Sequence, residues 1–160
     1  MVVDALGNVV GPLGLFDRLL VNVGGATAAL SIGISQISGD ANLLVESDIV
    51  GGSLYPEADL FFTGLDCEGA AYYNTSASLL PARLIEYGIV VNGNAYVRDP
   101  ALVGSIPTLT NIATQSVYLS VLNPVLGIGP GCVNTPVVID GTLALSRGLG
   151  FTPPFRVQIP

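Results

Sequence analysis

Glycine and proline interrupt this chain so often that a long helix has little room to form. The 160 residues include 20 Gly and 11 Pro, and these residues divide the sequence into short apolar runs. A helix needs about ten uninterrupted positions, whereas a strand needs about five. The runs therefore suit β-strands, and the sequence predicts an all-β protein with little helix.

The strongest local signal is the dipeptide Asn92-Gly93 between the apolar runs Val90-Val91 and Ala95-Tyr96-Val97. A two-residue hairpin loop needs positive φ at its central positions, and Asn-Gly accepts that conformation best. We expect Gly93 to be left-handed between strands at 87–91 and 94–98. The dipeptide Gly24-Gly25 predicts a similar hairpin between strands at 18–23 and 26–32.

The same reasoning predicts about ten short strands in total, at the spacing of an antiparallel sandwich or barrel. The other predicted strands are a hairpin of 2–4 with 9–10, single strands at 43–50, 58–63, 70–73, 84–91 and 116–122, and a pair at 137–139 and 142–145 turning at Asp140-Gly141. The C-terminal segment 153–159 contains prolines and predicts an edge strand or an extended tail. Segments 13–20 and 78–85 are the candidates for a short helix. We interpret residues 1–160 as one β-rich domain of a longer protein or assembly.

The composition predicts self-association. Half of the residues are apolar and only 11% are charged, against a usual charged fraction of about 25%. Such a chain has more apolar side chains than its own core hides, and the surplus is expected to be buried against another copy. We expect a homotrimer, or another homo-oligomer, in which the terminal segments Met1–Val10 and Pro153–Pro160 cross between chains.

Several functional classes lack the residues that they need. The chain has no His and no Lys, its five basic residues are all Arg, and its net charge is −7. A Ser-His-Asp triad, a Schiff-base lysine and a phosphate-binding lysine are therefore missing, and no basic patch is available for nucleic acid. No apolar run of about 18 residues is free of Gly, Asp, Asn or Pro, so we expect no membrane span. We predict no enzymatic activity, no cofactor and no metal.

Paired carboxylates remain as an alternative, because they serve sugar hydrolysis and Ca²⁺ binding. The pairs are Glu46/Asp48, Glu57/Asp59 and Asp66/Glu68, each two residues apart. The last pair lies in Asp66-Cys67-Glu68-Gly69, which is also a good turn sequence. We favour the turn over a catalytic or calcium site.

The two cysteines, Cys67 and Cys132, lie in turn-like contexts and form either a disulfide or two free thiols. The absence of Lys and the many Gly, Ser and Thr residues favour an extracellular, cell-surface or virion protein, and therefore the disulfide. Closing a loop of about 65 residues would stabilise the fold by about 4 kcal/mol in the chain-entropy model.

A carbohydrate-binding or adhesive function is the alternative to a purely structural one. Tyr72-Tyr73 and Phe61-Phe62 place one ring on each face of a strand, so one ring of each pair is expected in the core. The solvent-facing Tyr72 or Tyr73, beside Asn74, would stack on a sugar. We name these three residues as the candidate glycan contacts.

Five segments spread over most of the chain carry a family resemblance. They are 3–11 (VDALGNVVG), 60–63 (LFFT), 66–72 (DCEGAAY), Gly131-Cys132, and 151–155 (FTPPF). Together they resemble uncharacterised bacterial secreted or surface proteins with a β-rich terminal domain, which often follows collagen-like repeats or ends a fibre-type protein. The resemblance implies a β-rich, oligomeric, extracellular module, and it implies no catalytic residues.

Overall fold

A computed structural model describes residues 1–14, 18–32, 43–45, 49–50, 59–74, 86–102, 111–119, 131–150 and 155–157. Their regular structure consists of strands and two short 3₁₀ turns, at Leu65–Cys67 and Pro100–Leu102, so the all-β prediction is confirmed. The strands are β1 (Val2–Val3), β2 (Val9–Gly11), β3 (Arg18–Val23), β4 (Ala26–Ile32), β5 (Leu43–Val45), β6 (Ile49–Val50), β7 (Leu60–Phe62), β8 (Ala71–Asn74), β9 (Glu86–Tyr87), β10 (Ile89–Val91), β11 (Asn94–Val97), β12 (Asn111–Leu119), β13 (Gly131–Leu143), β14 (Leu145–Gly148) and β15 (Phe155–Val157).

The described strands form three sheets and one closed barrel. The sheets have the orders β2-β1-β15-β5, β10-β11-β14 and β3-β4-β6, with β9 alongside β4 in the third sheet. The barrel closes in the order β12-β13-β8-β7. Neighbouring strands are antiparallel apart from β4 and β9, which run parallel.

The β10–β11 hairpin separates two hydrophobic cores, because successive side chains in a strand point to opposite faces. Val90, Ala95 and Val97 face the first core. Ile89, Val91 and Tyr96 face the second. This hairpin is therefore buried on both sides.

The two cores differ in chemistry. The first is aliphatic, and its other buried members are Val2, Val10, Leu19, Val21, Val23, Ala26, Ala28 and Leu30. The second joins side chains of β7 and β8 to side chains of the β10–β11 hairpin and contains the aromatic residues Phe62, Tyr73 and Tyr96. Phe62 and Tyr96 meet edge to face, with ring centroids 5.5 Å apart. A pair in this geometry contributes about 0.5–1.5 kcal/mol beyond the area that it buries.

Both predicted two-residue hairpin loops are confirmed. Asn92 and Gly93 have φ of 50° and 76°, and Gly24 and Gly25 have φ of 58° and 93°. The strands on either side pair in the register expected for a two-residue loop, with Val91 opposite Asn94 and Val23 opposite Ala26.

The predicted turn at Asp140-Gly141 was wrong, because β13 runs straight through both residues. The strand changes partner at this point: Asp140 pairs with Asn111 of β12, and Gly141 pairs with Asn74 of β8. A Cβ atom on Gly141 would lie 3.0 Å from the carbonyl oxygen of Tyr73. Glycine is therefore present because two strands approach closely where the barrel closes, and not because the chain reverses.

A β-bulge interrupts the pairing of β12 with β13. Thr114 pairs with Val137 and Ser116 pairs with Asn134, so Gln115 alone lies opposite Thr135 and Pro136. Proline has no N–H to give to a ladder, and a bulge is one of the few places where a paired strand accepts it.

The C-terminal strand is also a correction, since β15 lies between β1 and β5 and is not an edge strand or a tail. The prolines at 153, 154 and 160 flank this strand and leave the N–H groups of 155–157 intact. The N-terminal strand pairs with it inside one chain, Val2 opposite Val157. The expectation that the terminal segments cross between subunits stays a prediction.

Two more predictions change in detail. The segment 43–50 holds two strands in different sheets, β5 and β6, separated by the polar residues 46–48. The helix suggested at 13–20 is wrong for its described part, because Leu13 makes a bridge to Leu19 and β3 begins at Arg18. The helix suggested at 78–85 lies outside the described residues.

Replacing Gly93 with valine is expected to lower the free energy of unfolding by about 1 kcal/mol or more. A β-branched residue at a φ of +76° is strained. Gly148→Val is the control, because Gly148 is exposed, lies outside the left-handed region and pairs with Asn94 of the same hairpin. Urea unfolding of both variants is the measurement. Equal midpoints for the two variants would contradict the assignment.

Candidate functional site

The predicted pairing of Cys67 with Cys132 is confirmed. The two residues are disulfide-bonded, with their Cα atoms 5.9 Å apart and a sequence separation of 65. Their surroundings differ from the prediction of two turn-like sites. Cys67 does lie in a turn, but it is only 2% exposed, and Cys132 is an exposed residue of strand β13 opposite Tyr118.

Residues 63–70, which we call the disulfide turn, join β7 to β8. Three backbone hydrogen bonds define the turn: Thr63 N–H to the Ala70 carbonyl at 3.1 Å, Gly64 N–H to the Glu68 carbonyl at 3.0 Å, and Glu68 N–H to the Leu65 carbonyl at 3.1 Å. Asp66 and Cys67 both have positive φ, 56° and 57°. Non-glycine residues rarely adopt this conformation, so the contacts around them must hold it in place.

Ser116 of β12 supplies one of these contacts. Its hydroxyl accepts a hydrogen bond from the Cys67 N–H at 2.9 Å and donates one to the Gly64 carbonyl at 2.6 Å. Ser116 is fully buried. Loss of the Ser116 hydroxyl would remove the partner of the buried Cys67 N–H and of the partly buried Gly64 carbonyl, which is costly.

Two amide side chains hold the outer side of the disulfide turn. Asn134 of β13 accepts from the Asp66 N–H at 2.7 Å and donates to the Asp66 carboxylate at 2.8 Å. Asn92 of the β10–β11 loop donates to the Asp66 carbonyl at 3.1 Å. The turn is therefore attached to β12, β13 and the central hairpin as well as to its own strands.

This geometry gives Asp66 a structural role. The residue is engaged at its N–H, its carbonyl and its carboxylate, and the turn predicted at 66–69 is present. No group of three or more His, Cys, Asp or Glu residues that could hold a metal occurs in the described part of the chain. Of the other predicted carboxylate pairs, Glu46, Asp48 and Glu57 lie outside it.

The three candidate glycan contacts occupy different environments on β8. Tyr73 is 3% exposed, packs in the second core and donates its hydroxyl to the Tyr96 carbonyl at 3.5 Å. Tyr72 is half-buried and Asn74 is exposed. The expectation that one ring of each aromatic pair is buried is correct, since Phe62 is also fully buried. Tyr73 is therefore no candidate for a surface contact.

The structure adds two residues that sequence reasoning did not select beside Tyr72. Phe61 of β7 and Leu143 of β13 both lie directly opposite Tyr72, one on each side. Directly opposite residues share a face of the sheet. Phe61 is half-buried and Leu143 is 56% exposed. Together these residues form an apolar row, Phe61-Tyr72-Leu143, on three neighbouring strands. Only the strand pairing could reveal it.

No family model matches this chain, and neither the curated proteins nor the solved structures include a significantly similar one. Among the described residues there is no helix with the length and apolar character needed to span a membrane.

Replacing Ser116 with alanine is expected to lower the free energy of unfolding by about 1–3 kcal/mol, because the buried Cys67 N–H and the partly buried Gly64 carbonyl both lose a hydrogen-bond partner. The disulfide turn should also open more often, so that dithiothreitol reduces the Cys67–Cys132 bond faster. Ser146→Ala, at an exposed position of β14, is the control. Urea unfolding and the rate of thiol release are the measurements. An unchanged reduction rate would show that Ser116 does not hold the turn closed.

Proposed function

We propose that this protein is a non-enzymatic structural and interaction module of an extracellular fibre, appendage or virion, and that it assembles as a homo-oligomer, with a homotrimer as the expected form. The observation that carries this proposal is the apolar surface that remains after both cores are filled. The large apolar side chains exposed in the described residues are Met1, Leu6, Val9, Leu65, Val137, Val138 and Leu143.

The construction of the described residues supports a mechanical role. A closed barrel, a hairpin buried on both faces and a disulfide that links a turn to a long strand all restrict motion. Within this part of the chain, no buried side-chain nitrogen or oxygen lacks a hydrogen-bond partner.

An extracellular setting is supported by the disulfide, because such bonds persist in oxidising compartments. The resemblance to bacterial surface and fibre proteins suggests a terminal module. The lack of His and Lys in the whole sequence argues for assembly or adhesion over enzymatic activity.

Light scattering on the purified chain at micromolar concentration tests the proposal. We expect a homo-oligomer, with a trimer at three times the 16.4 kDa chain mass. Apolar interfaces of stable oligomers bury upwards of about 1,000 Å². A monomer mass that does not change on dilution would overturn the proposed assembly.

Carbohydrate binding is the second candidate, and the row Phe61-Tyr72-Leu143 favours it. Aromatic rings that are partly exposed beside a polar group can stack on a sugar while the polar group takes its hydroxyls. Asn74, two residues from Tyr72, is the exposed polar group.

A glycan array tests the second candidate. We expect specific binding that Tyr72→Ala reduces at least tenfold, because the stacking ring is lost. Tyr73→Phe is the control, since it removes only a buried hydroxyl on the next residue and should keep the affinity. No binding by the wild-type chain, or equal binding by both variants, would exclude this surface.

A further inference from the structure

The Cys67–Cys132 disulfide has two unequal ends. Cys67 is 2% exposed and belongs to the second core. Cys132 is an exposed residue at the beginning of β13. The chain has no third cysteine, so an exchange of this bond within one chain requires a thiol from outside. The difference in burial decides which of the two sulfurs such a thiol reaches.

The buried end is held by contacts that do not depend on the sulfur–sulfur bond. The Cys67 N–H donates to the Ser116 hydroxyl at 2.9 Å, and the Cys67 carbonyl accepts from the Asn92 side chain at 3.4 Å. Both backbone polar groups of Cys67 are therefore bonded, one to β12 and one to the β10–β11 loop. These contacts involve no sulfur atom, so breaking the disulfide removes neither of them.

The exposed end is held beside the buried end in a similar way. Asn134 lies two residues after Cys132 in β13, and its side chain makes two hydrogen bonds with Asp66, the residue before Cys67. Strand β13 is thus bound to the disulfide turn next to the covalent bond. After cleavage the two sulfurs would stay neighbours, and re-forming their bond would be an intramolecular reaction with a high effective concentration.

The chemistry of exchange makes the unequal burial important. An attacking thiolate approaches one sulfur from the side opposite the sulfur that leaves, and the rate depends on access to the attacked sulfur. The approach to Cys67 is closed, because that residue is buried in the second core. The approach to Cys132 starts at the surface of the molecule.

We propose that Cys132 is a site of reversible modification by small thiols, with Cys67 as the leaving and resolving sulfur. The external thiolate bonds to the Cys132 Sγ, the Sγ–Sγ bond breaks, and its electron pair goes to the Cys67 Sγ, which takes a proton from water. The external thiol is oxidised to a mixed disulfide and Cys67 is reduced, so no other oxidant or reductant is needed. In the return step the Cys67 thiolate attacks the Cys132 Sγ and expels the small thiol. This site does not depend on the proposed assembly.

Treatment of the full native chain with excess glutathione tests the site. Acid quenching, alkylation of free thiols under denaturing conditions and peptide mass spectrometry then locate the adduct. We expect about tenfold more glutathione on Cys132 than on Cys67, because access decides which sulfur is attacked. In urea the preference should disappear, since both sulfurs are then accessible. Equal modification of the two cysteines in the native chain, no mixed disulfide, or the same preference in urea would overturn the proposal.

Asn134→Ala tests whether the disulfide turn protects Cys67. The variant loses both hydrogen bonds to Asp66, so the turn should open and the share of glutathione on Cys67 should rise. Asn111→Ala is the matched control, because Asn111 is also an exposed strand asparagine and lies at the other end of β12. It should keep the wild-type ratio. An unchanged ratio in Asn134→Ala, or an equal change in Asn111→Ala, would contradict the protecting role of the turn.

Circular dichroism shows whether both variants keep their β-sheet. If Asn134→Ala does not, Asn92→Gly replaces it, because glycine keeps the positive φ of this position and removes the donor to the Cys67 carbonyl. This variant should also raise the share of glutathione on Cys67, and an unchanged ratio counts against the proposal.

The return step has a measurement of its own. Desalting the modified wild type under anaerobic conditions removes free glutathione without supplying an oxidant. The mixed disulfide should then convert back to the Cys67–Cys132 bond and release its glutathione, because Cys67 is held beside Cys132. A mixed disulfide that persists after desalting would show that Cys67 is not a resolving sulfur.

Discussion

The burial of the β10–β11 hairpin on both faces is the constraint on which the rest of the described structure depends. Alternate side chains of one short hairpin complete two separate cores, so neither core closes without it. The hairpin loop also contacts the disulfide turn at the surface, since the Asn92 side chain donates a hydrogen bond to the Asp66 carbonyl. One hairpin thus contributes to an aliphatic core, an aromatic core and a surface turn.

The four strands of the barrel approach each other closely because two small residues, Gly141 and Ser116, lie where the strands meet. Gly141 allows β13 to leave β12 and join β8, and Ser116 occupies the interior beneath the disulfide turn. The disulfide then links this turn to the beginning of β13, far from the partner change at Gly141. A loop closure over 65 residues acts mainly by restricting the unfolded chain, so the covalent bond and the hydrogen bonds around Cys67 stabilise the fold in different ways.

Local signals in the sequence were enough for much of this fold. Asn92-Gly93 and Gly24-Gly25 need only their own backbone preferences to form hairpins, and both were predicted correctly. Asp140-Gly141 also looked like a turn dipeptide. However, the role of Gly141 is determined by its pairing with Asn74 of β8, 67 residues earlier, and a local sequence pattern does not show which distant strand will pair. The same limit applies to the candidate glycan row. The alternation of side chains along a strand predicted that one of Tyr72 and Tyr73 is buried. Which of the two is buried depends on how β8 pairs with its neighbours. The same pairing places Phe61 and Leu143 beside Tyr72.

Pro136 has a consequence for colloidal stability. A long strand without charges is the kind of segment that stacks into cross-β fibrils, and β13 has thirteen residues with a single charge at Asp140. The proline removes a backbone donor from the middle of this strand, and the bulge beside it bends the strand away from flatness. An incoming strand therefore cannot extend the sheet along the whole of β13. Prolines and bulges of this kind are among the devices that interrupt aggregation-prone strands.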